Sequence, residues 1–404
     1  VRTRVRAVKD YAKLGDEAIS KVAPFVHDAD APVRVEAVKA LVDLGGPKTL
    51  DALIAALADN DAEVQARAAE GIVNVYLPGY VKTGFTSSMQ RAGNSIKGKF
   101  NDTYEQVIDE FVKVRPDAIA GLGKIARGGS SLEARAVAAR AVGVLRGRAA
   151  IPDLVEALRS KDDQLMFESL IAIQKIGDPS AAPRISFLLR DLEEKIQIEA
   201  LETTGVLKNR DAAPQVRDAL ENARTVKIRR AALEALAMIA DPADRTQFRA
   251  YLADKDDGLR AAALEGLARL KVKEDRDAAT KAFNAERSMS PRVAAAFAMV
   301  SIGDLDTSRY SALRYLVNTL NQRGSGTIAT AYVIELARDL QVRQAIYSLL
   351  PMSSKDEKIK LSIVLAKSAD RDALPYLEAL STDMDPDVAA EGIRSLRTLR
   401  ARLP

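Results

Sequence analysis

The sequence has no cysteine and no tryptophan, a single histidine at His27, and only 5% aromatic residues. Without cysteine there is no disulfide framework, no thiol nucleophile and no thiolate-held zinc or iron–sulfur centre. One histidine confines a Ser-His-Asp triad to His27 and rules out a metal held by clustered imidazoles. A solvent-facing or structural role is expected for it, at the end of a helix. No D-x-D-x-D-G calcium loop and no glycine-rich phosphate loop behind a strand is present. The expectation is a protein without cofactor or metal that is not an enzyme. No apolar run approaches the roughly 18 residues that cross a bilayer, and no signal peptide is visible. The chain begins at Val1 rather than Met, read here as loss of an N-terminal piece. The expected compartment is therefore cytoplasmic, or exported with a removed signal. Charge is nearly balanced, 60 Lys and Arg against 56 Asp and Glu for a formal +4, a faint signal for nucleic acid.

What is abundant points one way. Ala, Leu, Arg, Asp and Glu dominate, the composition of stacked amphipathic helices. A chain of 404 residues exceeds the roughly 250 that one hydrophobic core organises, a limit that repeat arrays escape. The period is visible at one apolar position per hairpin: Val33, Val64, Leu132, Leu165, Ile196, Ile228, Leu259, Val293, Ile328, Ile359 and Val388. Successive spacings are 31, 68, 33, 31, 32, 31, 34, 35, 31 and 29. Five residues further on the position is apolar throughout, and four further on Ala37, Ala68, Ala136, Ser169, Ala200, Ala232 and Ala263 are small. These offsets trace one face of a helix whose neighbours approach closely.

Three residues before the reference stand Asp30, Asp61, Gly129, Asp162, Glu193, Thr225, Asp256, Ser290, Ser325, Asp356 and Asp385, mostly types that cap bare first-turn N–H groups. Before each inner helix runs a second amphipathic segment, with Pro152, Pro183 and Pro214 in its first turn, where a missing N–H is harmless. Residues 1–15 align with 31–45, so the chain begins partway through a hairpin. The fold class is all-α, an α-solenoid of about twelve helical hairpins.

The A-x-P-x-L-x-x-x-L helix followed by a D-x-x-V-R-x-x-A helix, clearest in DADAPVRVEAVKALVDLG at 28–45, resembles the HEAT repeat. The short bacterial kind of the phycobilisome-lyase-like repeat proteins is the nearest in pattern. The resemblance implies a fold and says little of function. Two departures stand out. The arginine expected just after the reference occurs only at Arg34, Arg229 and Arg260, and beyond residue 290 the small position becomes Phe297, Tyr332 and Ile363. A lone histidine separates the chain from the HEAT-repeat iron hydroxylases, which need several His-Glu pairs. The HEAT-like DNA glycosylases, which hold DNA in a basic groove, also fit poorly. Glu202, Glu234 and Glu265 stand six residues after the reference, with Glu168 and Glu199 nearby, so the middle of the groove reads as acidic and repels phosphate.

The one anomalous spacing marks residues 76–115, between hairpins at 1–75 and 116–404. It reads as an insertion or a degenerate repeat, with a modified repeat favoured because 68 is near two periods. A helix is expected over 102–114, with a capping box from Asp102 to Glu105. Residues 76–100 carry Lys82, Arg91, Lys97 and Lys99 and no acid, while Tyr76, Tyr80, Phe85 and Phe100 interleave with them. Such a mixture grips anionic lipid, nucleic acid or an acidic protein segment, or else packs its rings on neighbouring helices.

The leading expectation is a non-catalytic protein-binding scaffold that holds another protein or peptide. Tyr76, Tyr80, Lys82, Phe85, Arg91, Lys97, Lys99, Phe100, Glu202, Glu234 and Glu265 are its candidate contacts. The alternative is a membrane-surface or nucleic-acid adaptor acting through the basic aromatic segment. Of these two an anionic membrane surface is the better partner. Nucleic acid is disfavoured.

Overall fold

The computed structural model describes residues 1–81, 106–109 and 112–403, apart from the side chain of Asp16. They form two compact units, Val1–Gln215 and Val216–Pro404. The N-terminal unit contains α1 (Arg2–Ala12), α2 (Ala18–Val22), α3 (Ala31–Leu44), α4 (Leu50–Ala56), α5 (Ala62–Tyr76), α6 (Pro116–Gly128), α7 (Leu132–Val144), α8 (Ile151–Ala157), α9 (Asp163–Ile176), α10 (Ala182–Ile185) and α11 (Glu194–Leu207). The division falls within α12 (Ala213–Glu221). There follow α13 (Val226–Ile239), α14 (Arg245–Tyr251), α15 (Asp257–Leu270), α16 (Arg276–Ala285), α17 (Met289–Ser301), α18 (Ala312–Thr319), α19 (Gly326–Leu336), α20 (Leu340–Leu349), α21 (Lys355–Ser368), α22 (Leu374–Leu380) and α23 (Pro386–Arg402). Among the described residues there is no strand, and the chain is an all-α solenoid of outer–inner helical hairpins.

Inner helices carry the core. In the N-terminal unit α3, α5, α7, α9 and α11 pack each on the next, and in the C-terminal unit α13, α15, α17, α19, α21 and α23 do the same. The small positions lie at their contacts: Ala37, Ala68, Ser169, Ala200, Ala232 and Ala263 are fully buried. At Gly143 on α7 an added Cβ would stand 2.6 Å from the Cα of Ala172 on α9, so only glycine permits that approach. Outer helices open on a 3-10 turn, and a ladder of ion pairs ties them in series. Arg148 meets Asp178 at 2.6 Å, Arg217 meets Asp241 and Asp244 at 2.5 Å, and Arg245 and Arg249 meet Asp275 at 2.9 and 2.6 Å.

Most caps occur as expected. The side chains of Asp61, Asp162, Thr225, Asp256 and Asp385 accept first-turn N–H groups. Asp30, Glu193 and Ser325 occupy the cap position without that bond. Three assignments are corrected. The caps are Ser131, Ser288 and Ser354, not Gly129, Ser290 and Asp356. Ser131 and Ser354 hold first-turn amides that the other choice leaves bare, and Glu357 returns to the Ser354 amide to complete a capping box. The core register of α7 moves with its cap: Leu132 is 48% exposed and Ala134 is buried. Ile328 also stands out of the core, 40% exposed.

The large residues after 290 have a packing reason. Phe297 of α17 and Tyr332 of α19 stack face to face, centroids 4.4 Å apart and planes 7° from parallel. Two aromatic faces replace the alanine contacts of earlier hairpins.

Inner helices α5 and α7 are direct neighbours, so no further inner helix stands in series between them, as a modified repeat would require. Residues 77–115 connect adjacent hairpins. The helix expected over 102–114 is not found at 106–109 or 112–114, which are extended or irregular, and its capping box lies outside the described residues. The amide of Ile108 instead donates to the carbonyl of Val144 at the end of α7, 3.0 Å away.

Candidate functional site

On most inner helices the ninth residue after the cap lies at the edge of the core or outside it, Ile171 and Phe297 being buried exceptions. Along the N-terminal unit this row reads Lys39, Glu70, Arg140, Ile171 and Glu202. The acidic surface was expected from Glu202, Glu234 and Glu265, with Glu168 and Glu199 nearby. Glu168 and Glu199 do not contribute to such a surface, because both lie on the flank where the next inner helix packs and are nearly buried, 4% and 5% exposed. Arg140 grips Glu168 through Nε at 3.0 Å and through a second, shorter bond from Nη2. Gln174 donates to Glu199 at 2.6 Å and to Thr203 at 2.9 Å. Glu202 is exposed on α11, and partial loss of water lifts its carboxyl above the usual glutamate value.

Tyr76 and Tyr80 mark the start of the connection, and the structure gives each a partner. Tyr76 ends α5, and its hydroxyl accepts the amide of Arg115, 3.1 Å away, just ahead of α6. Asn74 accepts the amides of Gly79 and Val81 at 3.1 and 3.2 Å, folding a turn in which Gly79 has φ +91°. That turn lays the Tyr80 phenol near the Arg140 guanidinium. Burial pushes the phenol up to about 12, against the pull of the Arg140 cation. Beside them Lys175 of α9 is held down to about 8 by burial, with Arg140 adding to the effect and Glu168 opposing it. On the returning side the Nε of Arg146 donates to the Ile108 carbonyl at 3.2 Å. Lys82, Phe85, Arg91, Lys97, Lys99 and Phe100 lie outside the described residues.

In the C-terminal unit Glu234 and Glu265 hold the same ninth position on α13 and α15, and both are half-buried. Glu265 belongs to a network over three inner helices. Arg269 reaches past α17 to Glu335 of α19, with bonds of 3.0 to 3.2 Å, while its Nη1 donates to Glu265 at 2.9 Å. The hydroxyl of Tyr332 donates to the other Glu265 oxygen at 2.5 Å, and the Arg269 guanidinium lies 5.4 Å from the Phe297 ring centre. Burial and the neighbouring Glu265 carboxylate raise the Tyr332 phenol well above its ordinary value. Glu265 is thus an internal ligand of Arg269 rather than a free acid.

Arg140, Lys175 and Arg269 were not among the residues singled out from the sequence, and Tyr332 stood out only as a large residue at a small position. A ninth-position reading taken from the correct cap, Ser131, finds Arg140. Nothing local marks Arg269, whose partner is two hairpins away. Among the described residues no three His, Cys, Asp or Glu side chains are grouped to hold a metal ion. No helix among them is long and apolar enough to cross a membrane.

Comparison with known proteins gives a family and a fold. The family model for HEAT repeats matches residues 1–72, 119–191 and 181–268. No curated protein matches the sequence. Among solved structures, an engineered protein is 18% identical over 95% of this chain and 98% of its own, with a TM-score of 0.40. The CpcE–CpcF complex of phycocyanin lyase from Nostoc is 18% identical, covering 79% of this chain and 94% of that one, with a TM-score of 0.30. Importin beta is 13% identical over 95% of this chain and 56% of its own, with a TM-score of 0.42.

Proposed function

Because the chain belongs to the HEAT-repeat family, we propose that it is a non-catalytic protein-binding scaffold. In this reading a partner segment lies along the uncovered inner-helix face of the N-terminal unit, and the connection at 77–115 makes a second contact. The observation that carries it is the Tyr80–Arg140–Glu168 cluster, which holds the start of the connection against that face. A side chain spent in this way fixes where the connection leaves the array. Fixed polar groups on that face, and an exposed Glu202 farther along it on α11, also offer a peptide hydrogen bonds at little ordering cost. The connection supplies Lys82, Arg91, Lys97 and Lys99 for acidic parts of a partner.

The test replaces residues 82–105 with a short Gly/Ser link and, separately, changes Glu202→Lys. Both variants should keep the far-ultraviolet spectrum and thermal midpoint of the parent, while a protein captured from native lysate by the parent is lost. Unchanged capture by both variants overturns the reading. Cosedimentation of the parent with anionic vesicles, abolished by the same replacement, would favour the membrane-surface alternative.

A further inference from the structure

The ninth residue after the inner-helix cap changes character within the C-terminal unit. On α13 and α15 it is Glu234 and Glu265, and on α17 it is the buried Phe297. On α19 and α21 it is Ile334 and Ile363, both half-buried. From α3 to α23 no other inner helix leaves an apolar side chain partly open at this position, since Ile171 is buried like Phe297.

The two isoleucines share one face. Phe297, ninth on α17, stacks on Tyr332, seventh on α19. Glu265 and Arg269, ninth and thirteenth on α15, meet Tyr332 and Glu335, seventh and tenth on α19. Inner helices of this unit therefore run parallel and nearly level. Carried on to α21, which packs on α19, the same register brings Ile363 level with Ile334 to about half a turn, on axes about 8–10 Å apart. Ala331, on the same stripe of α19, is exposed. The charges around the pair have one sign. Arg338 and Lys367 are exposed, Lys360 is half-buried, and none of the three has an ion pair among the described residues. Glu335, the only acid of α19, is held by Arg269. Both acids of α21, Asp356 and Glu357, lie in its first turn, and Glu391 of α23 pairs with Arg394.

We propose that the open face of α19 and α21 is a docking surface for an amphipathic helix of a partner protein, one that carries acidic residues beside its apolar stripe. Side chains seven residues apart on a helix stand about 10 Å apart, the spacing that meets Ile334 and Ile363 when the helix lies across the two inner helices. Ala331 leaves room for its backbone, and flanking glutamates meet Arg338, Lys360 and Lys367. Charge disfavours a second copy of the same face as the occupant, because it would set these three cations against themselves. The surface lies in the C-terminal unit and does not rest on the N-terminal face proposed above.

The test follows the fluorescence anisotropy of a fluorescein-labelled peptide of about 18 residues, long enough to form a helix, with leucines at i, i+3, i+4 and i+7 spacing and glutamates between them. A second peptide carries lysines in place of the glutamates. At about 20 mM salt, where exposed charges are weakly screened, the parent should bind the first at least about tenfold more tightly than the second. Ile363→Asp should weaken binding at least about tenfold, because it sets a charge in the apolar contact. Ala331→Glu and Lys367→Glu alter exposed residues, so they carry the test if Ile363→Asp unfolds, and each should weaken binding about threefold to tenfold. Lys281→Glu makes the same charge change on the outer helix α16 and should shift binding less than about twofold. The proposal is overturned if the acidic peptide does not bind, if the lysine peptide binds as well, if Ala331→Glu or Lys367→Glu binds like the parent, or if Lys281→Glu weakens binding equally. Capture of phosphatidylserine vesicles without peptide binding, or a dimer in sedimentation that Ile363→Asp dissociates, also overturns it.

Discussion

The two units build their inner faces from the same three groups, a tyrosine, an arginine and a carboxylate, and connect them differently. In the N-terminal unit Arg140 and Glu168 join adjacent inner helices, and the tyrosine, Tyr80, comes from the connection that follows α5. In the C-terminal unit Arg269 spans from α15 to α19 across α17, and Tyr332 comes from an inner helix. One cluster fastens an appended segment to the array; the other ties alternate hairpins to each other. The first leaves Glu202 exposed. The second spends its carboxylates internally.

If that contrast holds, the largest effect comes from Arg269→Met. It strands Glu265 and Glu335 together at a site where the arginine is only 9% exposed, and should cost the C-terminal unit about 3–5 kcal/mol in urea unfolding. Arg140→Met should cost the N-terminal unit less, about 2–3 kcal/mol, because the Lys175 ammonium remains near Glu168. Equal costs would remove the distinction between a strut and a fastening. Lys175 gives a pH signature confined to the N-terminal unit. Its folded ammonium loses its proton near pH 8, against 10.5 for a free lysine, so the unfolded state binds more protons between these values. Stability therefore rises with pH from about 8 until Tyr80 begins to oppose it above about 10. Lys175→Met should abolish the rise in thermal midpoint between pH 7 and pH 9 and lift the pH 7 value by about 2 °C. A slope that survives the substitution assigns the titration elsewhere. The smallest effect tests the frame both faces share. Lys208, Ala240 and Lys271 end their inner helices in the left-handed region, φ +53°, where Gly45 and Gly177 end theirs. Ala240→Gly should stabilise by about 0.5–1 kcal/mol, read by chemical unfolding.

The period was legible because the capping aspartates and the buried alanines at the helix contacts repeat together, and each has a local cause. Register failed where serines compete. In GGSS at 128–131 and RSMS at 287–290 the cap is the serine that starts the helix two residues away from the one chosen. In SSKDE at 353–357 the S-x-x-E capping box was present in the sequence and outweighs Asp356. That slip hid Arg135, Arg292 and Lys358, which belong to the position where only Arg34, Arg229 and Arg260 had been counted. Glu202 stands exposed at the ninth position of its helix, and Glu234 and Glu265 are half-buried at theirs. The neutralisation of Glu265 was not legible, because it depends on Arg269 and Tyr332 meeting it across the stack. Phe297 and Tyr332 stood out in the sequence as large residues at small positions, and their stacking is what that irregularity meant.

The bond from the Arg115 amide to the Tyr76 hydroxyl brings the two ends of the connection together before anything between them matters. A segment closed at a fixed gate adds only about 0.6 kcal/mol of closure entropy for each doubling of its length. The hairpins therefore constrain neither its length nor its composition strongly. Such a gate behaves as a socket: the array can keep its register while the inserted stretch is lengthened, trimmed or exchanged. The hairpins on either side would keep their packing whatever the stretch between them carries.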